Sequence, residues 1–402
     1  MKKRVALLSK RANGEGSIAF YSSRNCYRGQ LTIGTDENGK VKRKSFYGKT
    51  KKEVKEKMDN YKLLNPIGAA AINEYTIATW FKYWLWNIKK RDIKPTTFAR
   101  YESVYRTHIE GSEIANIPLY KLKLNNLQSY YNKLLDNGTT IETVKQINTK
   151  LKTCLDSAEK NNYVEKNYCK LVELPTNAKE QKIEIFSMDQ EKQFIETIKG
   201  HKLELLFLTA LYTGLRIGEI SGLKWSDIDF DKHRLTVNRT VTRVALFDKD
   251  GKRHYEMIEQ TPKTSNGFRT VPISPIIFDR LLEHKKQQDT IKREIPSFNE
   301  YDLIFCDKKG YYINPNSIMG TLDRMQRDMD IPKENRISFH GLRKTFATRL
   351  FERNISPKTV QSLLGHSDIS ITLNIYTQVM DNIKVEAINE LENLFSTLTP
   401  TF

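Results

Sequence analysis

LELLFLTALYTGLRIGEI (residues 203–220) joins a run that is apolar on nearly every side to a short segment carrying Arg216 and Glu219. A helix hydrophobic all round has no face to offer water, so residues 203–214 read as the central, buried helix of a domain. Arg216 follows directly, at the edge of that core. Upstream, Ser187 with Gln190 three residues on forms a capping box that opens the domain. Ahead of it, PTNAKEQKIEI (175–185) reads as a linker. Downstream, residues 228–274 are β-rich, broken by the turn DKDG (248–251). Helical segments follow: PIIFDRLLEHKK (275–286), NPNSIMGTLDRMQRDM (314–329), FHGLRKTFATRLFERN (339–354), SPKTVQSLL (356–364), and a last pair around Tyr376 and over Val385–Phe395.

Two further units precede this one. In residues 1–66, GSIAFYSS, CYRGQLTIGT and KVKRKSFYG alternate β-branched or aromatic residues with polar ones. Turns near Arg24-Asn25 and over Asp36–Gly39 link them into a three-stranded sheet. Val54, Met58, Tyr61 and Leu64 then recur at helical spacing, which puts one helix behind the sheet. NPIGAAAIN (65–73) reads as a linker. Residues 74–174 read as four helices with short loops, a small bundle with Trp80 and Trp84 in its core. The fold class is therefore multidomain: a sheet-plus-helix unit, a helical bundle, and a mixed, mainly α domain with a small sheet over 183–402.

With 39% hydrophobic and 28% charged residues, the composition is that of a globular protein rather than a disordered one. No apolar run reaches membrane-spanning length, and nothing after the N-terminal MKKR resembles a signal peptide. Cys26, Cys154, Cys169 and Cys306 lie far apart and form no CxxC, which points away from a disulfide framework or a zinc site and toward a reducing cytoplasm. The net charge is +18, and residues 1–70 alone carry 17 Lys and Arg against 6 Asp and Glu. Such a field attracts polyanions by displacing their condensed counterions, so nucleic acid is the expected partner and no membrane is. Candidate contacts are Arg28, Lys40, Lys42, Arg43 and Lys44 on the sheet, and Lys94 and Arg100 in KKRDIKPTTFAR of the bundle.

Four places in the third unit carry chemistry-bearing residues: Arg216 in TGLRIGEI, Lys263 in TPKTSNGFR on an expected β-hairpin, His340 and Arg343 in SFHGLRKTF, and His366 with Tyr376 in GHSDISITLNIYTQ. Each alone is weak. HxxR occurs on ordinary helix surfaces, and a Gly-His after a helix is often only a C-cap. In this order and spacing, however, the set resembles the tyrosine recombinases, the phage integrase family. The layout of the whole chain resembles the integrases of phages and Gram-positive conjugative transposons.

The resemblance implies a site-specific recombinase working through a covalent 3′-phosphotyrosyl intermediate. Tyr376 is then the nucleophile, Arg216, Arg343 and His366 bind the phosphate, Lys263 is the general acid and His340 serves acid–base chemistry. Glu219 supports Arg216 or His340. These residue types suit the task. Guanidinium forks match non-bridging phosphate oxygens, nearby positive charge favours the phenolate, and histidine and lysine move protons. Neither metal nor cofactor is called for. Further implied are double-stranded DNA with core and arm sites, a homotetramer on two duplexes, and an excisionase and a DNA-bending protein as accessory partners. Two other readings remain open here. A helix–turn–helix DNA-binding protein would explain the charge and residues 356–378 but leaves Arg216, Lys263 and HxxR idle. A type IB topoisomerase would share the chemistry but not the separate basic N-terminal unit.

Overall fold

The computed structural model describes residues 17–35, 41–64, 75–176, 184–248, 251–262, 265–377 and the single position 388. The turn at Asp36–Gly39, Lys40, Lys263 and, apart from position 388, the tail segment 385–395 lie outside them, as does the Lys42 side chain. The chain forms two compact units, Met1–Ala178 and Lys179–Phe402.

The first unit opens with strands β1 (Ser17–Tyr21), β2 (Cys26–Thr35) and β3 (Val41–Gly48), antiparallel in the order β1-β2-β3. Asn25 takes the left-handed conformation that closes the first turn. Helix α1 (Lys51–Leu64) covers one face. Its Val54 and Met58 pack with Leu31, joined by Ile18, Tyr27, Phe46 and Tyr61. Four more helices follow: α2 (Ile77–Tyr83), α3 (Pro95–Val104), α4 (Leu124–Asp136) and α5 (Ile141–Lys160). Threonines 76 and 140 cap α2 and α5, and Pro95 starts α3 at the position where a missing N–H costs nothing. Trp80 and Trp84 are buried, as the sequence indicates.

In the second unit, Ser187 and Gln190 exchange side-chain and backbone hydrogen bonds at the start of α6 (Met188–Ile198). Helix α7 (Glu204–Thr213) buries Leu206 to Leu211 and Thr213, so the opening stretch is the central helix. It packs on α9 (Pro275–Glu294) and, past α10 (Pro315–Asp328) in the chain, on α11 (Phe339–Glu352). One continuous core runs from Phe186 to Leu342. The short helix α8 (Ile217–Ile220) packs on the strand Thr240–Phe247 through Gly218, where an added Cβ would come within 2.3 Å of Thr240 Oγ1 and 2.9 Å of the Val241 carbonyl. A second cluster joins α11 to α12 (Pro357–Leu364) and a helix α13 over 369–377. It is built from Ala347, Phe351, Val360, Leu364 and Ile375.

The β-rich stretch holds two small sheets. Strands β4 (Ile228–Asp229), β5 (Arg234–Val237) and β8 (Arg269–Pro272) form one, and β6 (Thr240–Phe247) pairs only with β7 (Arg253–Gln260) to form the other. The strands on either side of Lys263 therefore do not pair with each other, contrary to the expected hairpin. The long β6–β7 ribbon is inserted between β5 and its partner β8. The segment around 263 links one sheet to the other.

Candidate active site

Several helix ends meet at one place in the second unit. Gly214 closes α7 with φ +62°, and Arg216 follows as the N-cap of α8. Glu219, one turn on, accepts the Arg216 backbone N–H at 2.9 Å and its Nη1 at 2.7 Å. The Arg216 side chain stays 39% exposed while that of Glu219 is buried. Arg343 comes from the second turn of α11 and is 1% exposed. It donates through Nη1 to the Gly214 carbonyl at 2.7 Å and through Nη2 to the Leu364 carbonyl. One guanidinium thus ties together the carbonyl-rich, electronegative ends of α7 and α12. Its Nε is buried with no partner among the described residues.

Gly365 ends α12 at φ +66° and turns the chain so that His366 points inward. Gln361 holds the His366 backbone at both its N–H and its carbonyl. The ring Nδ1 pairs with the Thr372 hydroxyl at 2.8 Å, and both residues are buried. His340 lies one helical turn before Arg343 and keeps an exposed edge.

The electrostatics show that these groups face one another. Burial first, then Arg343, Arg216, His340 and Arg269, push His366 down to about 3. Burial, Arg343, Lys344 and Arg216 push His340 down to about 4. Burial, Arg216 and Arg269 push Arg343 down to about 8, with Glu219 opposing. Against the burial that would raise it, the Arg269 hydrogen bond and the charges of Arg269 and Arg216 hold Glu219 at about 2. A site that lowers Arg343, His340 and His366 together favours an anion, because an anion relieves both the desolvation and the repulsion.

The structure thus brings together Arg216, Glu219, His340, Arg343 and His366. Tyr376 is half-buried on α13 and packs edge-on against Phe351 with ring centroids 5.0 Å apart. Phe351 lies eight residues along α11 from Arg343, about 12 Å of helical rise. Arg269 is a member of the cluster that the sequence reading did not single out. A Lys–xxxxx–Arg spacing carries no helical or motif signal in the sequence, and the buried salt bridge of Arg269 to Glu219 exists only in three dimensions.

On the sheet, the anticipated basic residues divide between its two faces. Arg28 lies over the Tyr21 ring at 4.7 Å and pairs across the strands with Tyr47. Arg43, on β3, alternates with Lys44. Lys44 sits 4.4 Å above Tyr61 of α1, so it lies on the helix-covered face and not with Arg28 and Arg43. In the bundle, Lys94 and Arg100 are exposed on α3 and its N-cap. Burial and the charge of Arg100 lower the pKa of Lys150 on α5, which marks a basic edge shared by two helices. Nothing in the sequence around Lys150 marks it as part of that edge.

Residues 184–382 match the phage integrase family, and residues 76–135 match the N-terminal SAM-like domain of phage integrases. A tyrosine recombinase XerC-like protein of Caldanaerobacter subterraneus subsp. tengcongensis is 40% identical over 381 residues, covering 92% of this chain and 96% of that one. Among solved structures, the Tn1549 transposon integrase in complex with a circular intermediate DNA shares the fold. Its TM-score is 0.62 at 23% identity, over 75% of this chain and 94% of the other. A lambda integrase tetramer bound to a Holliday junction matches with TM-score 0.54 at 19% identity, over 91% and 96%. Identity on that scale along nearly the whole length of both chains shows that this chain belongs to the phage integrase family of tyrosine recombinases, enzymes that cut and rejoin DNA strands in site-specific recombination.

Proposed function

We propose that the chain recombines DNA through attack of the Tyr376 hydroxyl on one backbone phosphate, giving a 3′-phosphotyrosyl link and a free 5′ hydroxyl. The observation that carries this is the convergence of Arg216, Arg343, His340 and His366 from separate segments on one anion-favouring spot. Arg216, with its exposed fork, and Arg343 hold the non-bridging oxygens and neutralise the charge that builds in the pentacoordinate transition state. His366 is neutral at pH 7. With the Thr372 hydroxyl donating to Nδ1, its Nε2–H donates to the same phosphate. His340, also neutral, accepts the phenolic proton. Lys263 protonates the leaving 5′ oxygen. The phosphotyrosyl bond conserves the energy of the broken linkage, so rejoining needs only attack by a 5′ hydroxyl.

The proposal extends to the job in the cell. The chain integrates and excises a mobile element, as the name of the Tn1549 transposon integrase suggests for its own element. It does so as a homotetramer on two duplexes, with an excisionase and a DNA-bending protein setting direction. Residues 1–66 bind arm sites through the face carrying Arg28 and Arg43. Residues 74–174 bind core sites with Lys94 and Arg100, and residues 183–402 cleave.

A suicide substrate nicked beside the cleavage position tests the chemistry. Wild-type protein should accumulate a covalent DNA adduct that maps to Tyr376 and survives EDTA. Tyr376→Phe should bind the same DNA and form none. A reaction that stops on chelation and leaves no adduct contradicts the mechanism.

A further inference from the structure

Arg269 has no role in the mechanism above, yet it is built into the site. It lies on β8, six residues beyond Lys263. Its side chain is 5% exposed. Nη1 and Nη2 donate to the two carboxylate oxygens of Glu219 at 3.1 and 2.8 Å. Nε donates to the Leu363 carbonyl at 2.7 Å, one residue before the carbonyl that Arg343 takes. Gly365 leaves room for it, since a Cβ there would meet Arg269 Cδ at 2.8 Å. The Leu363 bond anchors the guanidinium, and the fork on Glu219 is what the anchoring serves.

Glu219 carries one negative charge between two guanidinium groups. The buried Arg269 spends its charge on that carboxylate, while Arg216 shares an oxygen with it at 2.7 Å and still faces outward. Were Arg269 absent, Arg216 would be the only one of the two left to neutralise a buried carboxylate. The pair would close on itself, with little positive charge remaining for a ligand.

Resting on the recombinase reading, we propose that Arg269 is a positioning residue for strand cleavage: by neutralising Glu219 it fixes the carboxylate that orients Arg216 and leaves the charge of Arg216 to the scissile phosphate. Its action runs through Glu219, which makes it separable from a merely structural role.

The experiment is single-turnover adduct formation by the full chain on the nicked suicide substrate, with DNA binding and thermal unfolding followed in parallel. Adduct formation by wild-type protein tests the recombinase reading itself, and the variants are compared against it. Arg269→Gln should slow cleavage about 100-fold, the scale of losing one transition-state charge contact, with DNA affinity within about twofold. Arg269→Lys keeps the charge without the fork and should slow it about 10-fold. The double variant R269Q/E219Q strands no buried charge. It should cleave about 10-fold faster than R269Q and match E219Q within about threefold, since neighbours acting through one group are non-additive. If R269Q fails to fold, the double variant, E219Q and R269K decide alone. R269K at the wild-type rate, or a double variant more than about 10-fold slower than E219Q, overturns the proposal.

Discussion

At the scale of single residues, burial and neighbouring cations hold His340 and His366 in their neutral forms. Thr372 fixes which His366 nitrogen faces inward. Thr372→Val removes that partner and should slow adduct formation about 10-fold or more while leaving DNA binding intact, the usual effect of losing a group that orients a ligand-binding histidine. Unchanged cleavage would mean that packing alone orients the ring. Arg216→Lys should slow cleavage about 100-fold, because a point charge replaces a planar fork that binds Glu219 and, in the proposed mechanism, the phosphate. Equal rates in a single-turnover assay would remove Arg216 from the transition state. The histidines also set a stability profile. Folded His366 titrates at about 3 and His340 at about 4, both below the ordinary value for histidine. Between about 6.5 and 4 the unfolded chain binds more protons than the folded one, so stability falls as pH drops through that window. His366→Gln should flatten part of the slope of Tm against pH. An identical slope in the variant would show that His366 is not the group responsible.

At the scale of elements, two glycines set the geometry. Gly365 lies at φ +66°, and an added Cβ would press on the Asn266 carbonyl at 2.5 Å and on Arg269. Gly365→Ala should cost about 1–2 kcal/mol from the left-handed backbone alone, and more as the turn carrying His366 shifts. Urea unfolding together with cleavage checks this, and a fully stable, fully active variant refutes it. Gly218 lets α8 lie directly on β6, so the element bearing Arg216 and Glu219 rests on the inserted ribbon. Alternation and turn residues made the strands legible in the sequence. Their pairing was not, because β5 finds its partner β8 across the whole ribbon, and strand partners separated by that much chain leave no local trace.

At the scale of the molecule, charge is concentrated in the N-terminal stretch rather than in the segment that carries Arg216, His340, Arg343 and His366. The sheet and α1 pack around a cluster of their own, and the first 70 residues hold a large share of the +18. Removing residues 1–66 should reduce the slope of log affinity against log salt by at least about 2 on DNA containing arm sequences, through loss of phosphate contacts worth about 0.9 each. Cleavage of a short core-site duplex should persist. An unaltered salt slope would place arm binding elsewhere. Among the described residues no helix is long and apolar enough to cross a membrane.

The sequence by itself determined most of the described helices and strands, the buried central helix, and the order in which Arg216, Glu219, His340, Arg343 and His366 reach one place, since hydrophobic period, caps and residue order are all local or ordinal properties of the chain. Only the tertiary structure decided that Lys44 faces α1, that Arg343 clips two helix ends, and that Arg269 shares Glu219 with Arg216. Each of these is a contact between residues distant in sequence. Such a contact depends on where packing brings two surfaces together, and neither segment carries a mark of the other.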